Sequence, residues 1–387
     1  MKKYILYYFL IILDSKIKTE NIDWIDGLKG VAILGVILIH CGGASLPFPL
    51  SNVGDAGKYG VQLFFLISGY LAFLSYANHN KIHVTGASKS GNYLSWYLKK
   101  ALRLLPLYYL TLVLFLIFTH GHAYWLGEDK IISFPNVLTH ILFLHGFFPH
   151  YIDSIIGVEW YIGVLVMFYA ITPVLFKIIN NIDRAFFLVI CSIILCRFLS
   201  YGTSKLLMTI CGNRNDAYLY TNIVYFSLIT QFPVLTMGVL YYYITKLPAK
   251  NQTLTASYRK DKSLLAFSIL FFSIALICGL MLHKVNVIFI SEPVIYGLAF
   301  FLLMFSLRMQ PVFIFNNKIL RFLGKYSYPI YLLHFLMIYL FNKLFKSDEH
   351  TILLRLCFVL ITTSLISYIL QKYFDKPCYS KLKQLCS

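Results

Sequence analysis

The chain has 387 residues, of which 59% are hydrophobic and only 13% are charged. A typical soluble domain carries about a quarter charged residues, so this composition excludes a soluble globule, a disordered chain and a coiled coil. Lys and Arg outnumber Asp and Glu by 34 to 16, which gives a net charge of +18. Because the basic residues lie between apolar runs, we interpret them as the positive-inside loops of a membrane protein and not as a nucleic-acid site.

The chain begins with an N-terminal extension, residues 1–23. It is apolar with two early lysines but has no small-residue cleavage site, so we expect it to lie at the membrane interface. Ten apolar stretches follow, each close to the length of about 20 residues that a spanning helix needs. The sequence therefore predicts an all-α polytopic membrane protein with about ten transmembrane helices, at residues 26–46, 59–77, 104–120, 157–178, 185–201, 221–244, 263–282, 287–306, 328–345 and 351–371.

A further apolar stretch, residues 131–148, is interrupted by prolines and histidines and could be an eleventh span or a re-entrant segment. An eleventh span would move the later basic loops to the opposite side of the membrane, so we leave this stretch out of the count. With ten spans, the basic loops 78–103, 245–262 and 307–327 share one side with both termini, and the positive-inside rule makes that side cytoplasmic. We expect a transmembrane domain at 24–378 and a tail at 379–387.

The eight cysteines form no C-x-x-C pair. Most of them lie within apolar runs, which is typical of small core residues. We therefore expect neither a metal site nor a disulfide framework.

The first predicted span carries polar residues, which are costly inside a membrane and are therefore functional candidates. Lys29 and His40 lie on one helical face, and Asp26, three residues before Lys29, can neutralise it. At helical rise His40 lies about 21 Å beyond Asp26, in the outer half of the membrane. A neutral imidazole there can act as a general base toward a hydroxyl. The alternative is a histidine that only hydrogen-bonds a neighbouring helix.

The third span begins with a basic pair, Lys100 and Arg103, on one helical face. Clustered cations at a helix start can hold phosphate groups. The pair therefore predicts a cytoplasmic anion site, and the alternative is a positive-inside anchor.

The fourth span enters with Glu159, Trp160 and Tyr161. A carboxylate beside an indole suits a sugar, because the indole ring can stack on the sugar and the carboxylate can accept hydrogen bonds from the sugar hydroxyls. The alternative is an interfacial aromatic belt, where Trp and Tyr need no further function. In the ninth span His334 lies about 10 Å from the helix start and either helps to bind a donor or is structural.

Together these stretches resemble the integral-membrane acyltransferase-3 family, over about residues 24–378. Five blocks, in order, carry the resemblance: Asp26-Gly-Leu-Lys-Gly-Val-Ala ending in His40; Gly60-Val-Gln-Leu-Phe-Phe-Leu-Ile-Ser-Gly-Tyr; Lys100-Ala-Leu-Arg103-Leu-Leu-Pro106; Trp160-Tyr-Ile-Gly-Val through Phe168-Tyr169 and Pro173; and Leu323-Gly-Lys-Tyr-Ser-Tyr-Pro-Ile-Tyr-Leu-Leu-His334. The chain departs from the family pattern at four positions, where Lys replaces Arg (29 and 100), Gln replaces Asp (62) and Leu replaces Glu (165).

The resemblance implies transfer of an acyl group, most often acetyl, from cytoplasmic acetyl-CoA to a hydroxyl of a cell-envelope carbohydrate, without a metal. It implies His40 as the essential histidine. We expect Lys29, Lys100 and Arg103, with His334, to bind the donor, and Glu159, Trp160 and Tyr161 to bind the acceptor. A continuous passage should join the basic mouth to His40, and the host membrane should be the bacterial cytoplasmic membrane.

Other chemistry and other functions stay open at this point. A transient acyl-histidine would replace general-base catalysis. A transporter or flippase for a lipid-linked glycan would use a helix broken at Thr230-Gln231, before Pro233. A structural assembly subunit would bind no CoA.

Overall fold

The computed structural model describes residues 23–85, 93–123, 131–211, 223–246, 256–282, 290–345 and 349–385. No strand occurs in these ranges, apart from one isolated bridge between His122 and Ile131. The α-helices are α1 (Asp23–His40), α2 (Leu50–Ala56), α3 (Gly60–Thr85), α4 (Tyr93–Phe118), α5 (Phe134–Ile141), α6 (Trp160–Ile178), α7 (Ile182–Cys211), α8 (Leu228–Lys246), α9 (Ala256–Leu282), α10 (Glu292–Met309), α11 (Lys318–Lys325), α12 (Ser327–Leu344), α13 (Ile352–Leu370) and α14 (Lys376–Leu385).

The predicted fold class is confirmed. Eight helical stretches within the described ranges are long and apolar enough to cross a membrane, and each coincides with a predicted span. The remaining two predicted spans, 26–46 and 328–345, are the helices α1 and α12. These two are more polar because α1 carries Asp23, Asp26 and Lys29, and α12 carries His334, Asn342 and Lys343. Most of the side chains of α12 are buried.

Two helices cross at glycines near the start of α1, and this crossing sets the depth of α12. A Cβ atom on Gly324 would lie only 1.6 Å from the carbonyl oxygen of Asp26, and one on Gly30 would lie 2.1 Å from that of Leu320. Only glycine permits backbones to approach so closely. Because α11 packs directly on the first turns of α1, α12 begins already inside the bundle. Its His334 therefore reaches the level of His40.

The stretch 131–148 does not cross the membrane as a helix. Its α-helical part, α5, has eight residues, which is about 12 Å at helical rise and too short for a hydrocarbon core of about 30 Å. It is followed by a short 3-10 helix, His145–Phe147, and the segment packs back on the bundle with His140 and His145 fully buried. Leaving it out of the span count agrees with the structure.

The two ends of the chain are described in part. Of the predicted extension 1–23 only Asp23 lies within the described residues, as the first residue of α1, where its carboxylate accepts from Arg321 Nη1 at 2.6 Å. At the other end, α13 continues through a π-helical turn, Gln371–Asp375, into α14, which takes in the tail predicted at 379–387 as far as Leu385.

Candidate active site

We call the two ends of the bundle the Lys29 end and the His40 end, after the polar residues on α1. At the Lys29 end, the ammonium of Lys29 lies 3.0 Å from Asp26 Oδ1, so the predicted neutralising pair is present. The Lys29 side chain is 18% exposed. α1 therefore carries its one lysine at a half-buried position, on the face that also carries His40.

A partly open cavity of about 140 Å³ lies at the Lys29 end, and we call it the basic cavity. Lys29, Lys100 and Arg103 all line it, so three residues predicted to bind the donor come together from two helices. Lys325 also lines it, from the end of α11. Four cations around one small space create a positive potential suited to a phosphate-bearing ligand.

Each cation meets the basic cavity in a different environment. The Lys100 ammonium lies over two aromatic rings, 5.3 Å from the centroid of Trp96 and 4.9 Å from that of Tyr169. These cation–π contacts hold the side chain in place. Arg103, one turn further along α4, is exposed, and its planar guanidinium can donate two parallel hydrogen bonds to a phosphate. Arg103 is therefore the cation best placed at the rim.

His40 and His334 form a second polar feature, which we call the catalytic histidine pair after the role that the sequence predicts for His40. His40 Nδ1 lies 3.0 Å from His334 Nε2, and the ring centroids are 5.1 Å apart. His334 is fully buried, and its Nδ1 lies 2.6 Å from the carbonyl oxygen of Tyr331. The ring of Phe335 packs against His40 with centroids 4.6 Å apart. The structure thus places His334 against His40, whereas its predicted role in donor binding stays a prediction.

The hydrogen bonds assign the tautomers of a neutral pair. A carbonyl oxygen can only accept a hydrogen bond, so His334 Nδ1 carries a proton and donates a hydrogen bond to the carbonyl oxygen of Tyr331. In neutral His334 the other nitrogen, Nε2, must then accept, and His40 Nδ1 must donate to it. His40 consequently keeps its basic lone pair on Nε2, which is the arrangement that a general base needs.

The basic cavity and the catalytic histidine pair are neighbours, but neither histidine lines the cavity. The inner wall consists of Phe64, Tyr161 and Tyr331, which all line the cavity. Tyr331 also contacts His334, with ring centroids 5.7 Å apart. The expected continuous passage is therefore interrupted at this aromatic wall. Tyr331 is fixed by its own hydroxyl, which donates to the carbonyl of Val158 at 3.0 Å.

The three residues predicted to bind the acceptor lie in three different environments. Glu159 is fully buried in the segment that precedes α6. Trp160 packs among aromatic rings, with centroids 4.7 Å from Phe226 and 5.7 Å from Phe65. Tyr161 lines the basic cavity, where its hydroxyl lies 3.1 Å from Ser68 Oγ. Their role toward an acceptor stays a prediction, and the structure does not bring them together around one space.

Residues 131–159, which we call the connecting segment, enclose a buried polar network around Glu159. Glu159 Oε1 accepts from the backbone N–H groups of Ile155 and Ile156, at 3.0 and 3.1 Å, and lies 3.0 Å from His140 Nε2. His140 Nδ1 donates to the carbonyl of Asn136 at 2.9 Å. His145 stacks on His140, with ring centroids 4.5 Å apart. Glu159 Oε1 is therefore occupied in fixing its own segment, whereas Oε2 is buried and has no hydrogen-bond partner among the described residues.

The electrostatics of this network follow from burial. Burial, with the charge of His140, lowers the pKa of His145 to about 3. Burial, with the charge of Glu159, raises the pKa of Asp153 well above its ordinary value. Burial alone would raise the pKa of Glu159 too, but the hydrogen bond and charge of His140 outweigh it and hold that pKa below its ordinary value. Glu159 is thus the ionised member of the two carboxyls.

The feature on which the transporter hypothesis depends lies close to its predicted position. Helical structure is interrupted at Ser227, and α8 then runs through Thr230, Gln231 and Pro233 without a further break. Gln231 is fully buried, and its Nε2 donates to the carbonyl oxygen of Tyr225 at 2.6 Å. The polar residues there are engaged in holding the start of α8 to the chain before it.

Sequence reasoning missed two residues of the site. Lys325 and Tyr331 both lie in the late block that ends at His334, and the block itself was the available signal. Their involvement depends on α11 crossing α1, which no local pattern in the sequence indicates.

A family model described as an acyltransferase domain matches residues 22–372, nearly the whole chain. A search of curated proteins and a search of solved structures gave no match. The matched range contains the basic cavity, the catalytic histidine pair and the connecting segment.

Proposed function

The chain belongs to this acyltransferase family, and on that premise we propose that it is a membrane O-acyltransferase that moves a short acyl group, acetyl, from acyl-CoA to a hydroxyl of a cell-envelope carbohydrate. The catalytic histidine pair carries the proposal. It leaves a basic nitrogen on His40, on the same helix and helical face as a lysine of the basic cavity. We propose that the Lys29 end faces the cytoplasm of a bacterial cell.

The basic cavity is the proposed site for the phosphates of acyl-CoA. Lys29, Lys100 and Arg103 converge there with Lys325, and a pyrophosphate requires such a cluster of cations in one place. Arg103 supplies bidentate geometry, while Lys100, held by two rings, supplies a fixed charge. The pantetheine arm would then point from the rim toward the aromatic wall.

His40 is the proposed general base. The acceptor hydroxyl loses its proton to His40 Nε2 as its oxygen attacks the thioester carbonyl carbon. The C–S bond then breaks, and the CoA sulfur takes the proton back from the imidazolium. During the step His40 Nδ1 continues to donate to His334, which orients the ring and stabilises the imidazolium.

The aromatic wall has to open for the thioester to reach His40. Tyr331 makes two hydrogen bonds: its hydroxyl donates to the carbonyl of Val158, and its own carbonyl oxygen accepts from His334. Tyr161 is held only through its hydroxyl, by the hydrogen bond to Ser68. We propose that Tyr161 is the ring that turns aside when the donor binds. A wall built of three large rings also favours a short acyl group over a long one.

The test is transfer of radiolabelled acetyl from acetyl-CoA to envelope carbohydrate in membranes that contain His40→Ala. Loss of a general base costs on the order of a hundredfold or more, so we expect at least that loss. His350→Ala, at an exposed histidine, is the matched control. If the His40 variant is inserted normally and transfers acetyl at the wild-type rate, His40 is not the base. If wild-type membranes bind no acetyl-CoA, the enzyme proposal fails and a carrier becomes the better hypothesis.

A further inference from the structure

A long apolar groove lies along the back of α1, away from the catalytic face. It has a volume of about 470 Å³ and is lined by Val31, Leu34 and Leu38 on one side and by Ile277 of α9 on the other. At about 100° per residue, Leu38 lies about 160° around the helix from His40. The groove is therefore separate from the proposed donor and catalytic site.

The groove ends in a polar pocket at its upper end, toward the His40 end of the bundle. Ala56, Met281 and Tyr296 line both spaces, so the groove and the pocket adjoin each other. The pocket has a volume of about 160 Å³. A single site thus combines a long apolar part with a compact polar end.

The polar pocket contains charges of both signs. Lys58 and Asp55 form an ion pair at 2.9 Å, and the Tyr59 hydroxyl donates to Glu292. Glu292 also lines the pocket, beside the stacked rings of Tyr59 and Tyr296. One ammonium and two carboxylates give these three side chains a formal charge of −1.

The groove runs along most of α1. Phe315 lines the groove, and its carbonyl oxygen packs against Gly27. From the level of Leu38 to that of Gly27 is about 16 Å at helical rise. Val53 and Ile274, which line the groove, are 44% and 39% exposed, so it opens sideways. A lipid can enter from the membrane without passing through the bundle.

We propose that this groove binds one zwitterionic phospholipid of the phosphatidylethanolamine type from the surrounding bilayer. Its acyl chain lies along the back of α1 and its head occupies the polar pocket. The head carries a phosphate that Lys58 can bind and an ammonium that can donate hydrogen bonds to Glu292. A head with phosphate alone would meet a pocket of net negative charge, so an anionic lipid fits less well.

Such a lipid would stabilise the contact of α1 with the residues after α2. Gly35 packs on Gly57 there, with a Cβ on Gly35 only 3.3 Å from the Gly57 backbone. A lipid that binds the folded chain and not the unfolded one raises the free energy of unfolding, and this increase grows with the logarithm of the lipid concentration. The head group of the lipid, and not only its acyl chain, should determine this gain in stability.

The test is native mass spectrometry of the full purified chain released from nanodiscs that contain equal amounts of phosphatidylethanolamine and phosphatidylglycerol. We expect one retained phosphatidylethanolamine per chain. Glu292→Gln keeps the shape of the side chain but loses its charge, and loss of a charged hydrogen bond should reduce the preference about tenfold. Ile277→Trp should fill the groove and abolish retention, whereas Ile361→Trp, at a side chain that is 60% exposed on α13, should retain the lipid.

Two results would overturn the proposal. One is wild-type chain that retains phosphatidylglycerol as readily as phosphatidylethanolamine, and this result needs no variant to fold. The other is Ile277→Trp that retains the lipid at the wild-type level. Neither result depends on acyltransferase activity, so the lipid site and the proposed enzyme can fail separately.

Discussion

The pair His40–His334 and the pair His140–His145 both consist of neighbouring, stacked rings, but their hydrogen bonds give them opposite chemistry. In the first pair one ring donates to the other, and the chain of donors ends at the carbonyl oxygen of Tyr331. In the second pair His140 contacts a carbonyl oxygen through Nδ1 and a carboxylate through Nε2. Because Glu159 Oε1 already accepts from two backbone N–H groups, it accepts from His140 Nε2 as well, so both ring nitrogens of His140 are engaged in hydrogen bonds.

This difference shows that residue type alone does not determine whether the hydrogen bonds of a histidine leave it a basic lone pair. In the first pair, the hydrogen bonds end at the carbonyl oxygen of Tyr331 and leave a lone pair on His40 Nε2. In the second pair, the carboxylate of Glu159 uses His140 Nε2 for an ion pair. We therefore expect changes in the first pair to alter turnover and changes in the second pair to alter stability.

The largest expected effect is that of Glu159→Ala on stability. It would leave the buried His140 without its carboxylate and two backbone N–H groups without their acceptor, and breaking a buried pair from one side costs about 3–5 kcal/mol. Thermal unfolding of the purified chain measures this loss. An unchanged unfolding temperature would show that Glu159 does not hold the connecting segment. That result would favour the predicted role of Glu159 in acceptor binding.

The next effect is that of His334→Ala on turnover. Loss of a group that orients a metal-binding histidine typically costs about 10–100-fold, and by analogy we expect kcat to fall by up to about a hundredfold with little change in the KM for acyl-CoA. His334→Gln offers an amide oxygen to His40 Nδ1 and should recover part of the rate. A rise in KM at unchanged kcat would instead favour the predicted donor-binding role of His334.

The fold was largely predictable from the sequence because each span is a long apolar run, and all ten predicted spans coincide with helices. The meeting of Lys29, Lys100 and Arg103 in one cavity was also within reach, since all three lie near the same ends of their helices. The contact between His40 and His334 was not. It depends on glycines 30 and 324, which let α11 pack on α1, and a one-dimensional count of helical rise cannot include such a crossing.

The hydrogen-bond partner of Glu159 was equally unpredictable from the sequence. A carboxylate next to Trp160 is typical of a sugar site, and nothing in the local pattern indicates that a histidine 19 residues earlier will bind it. That contact forms because the connecting segment folds back on itself, which brings α5 to the start of α6. Tertiary partners, and not residue type, decide the role here.

The pH dependence of stability should report on His145, a member of the second pair. The pKa of His145 is about 3 in the fold and about 6.5 in the unfolded chain. A base whose pKa is lowered on folding contributes stability above the unfolded pKa and loses it as pH falls below that value, so the fold should lose about 2 kcal/mol between pH 7.5 and pH 5. His145→Gln should flatten this part of the unfolding profile. An equally steep profile in that variant would assign the effect to other groups.

The smallest expected effect is that of Arg103→Ala on donor binding. Removing one charge-assisted contact to phosphate costs about 1.4 kcal/mol, which is about tenfold in affinity, and thermal unfolding without ligand should not change because Arg103 is exposed. Isothermal titration with CoA measures this, with Arg103→Lys expected to lie between the two because an ammonium keeps the charge but not the bidentate geometry. Lys177→Ala, which removes an exposed cation from the last turn of α6 without touching the cavity lining, is the matched control. Equal losses of CoA affinity in both alanine variants would mean that CoA senses only overall charge, and the basic cavity would then no longer be distinguished from a positive-inside surface.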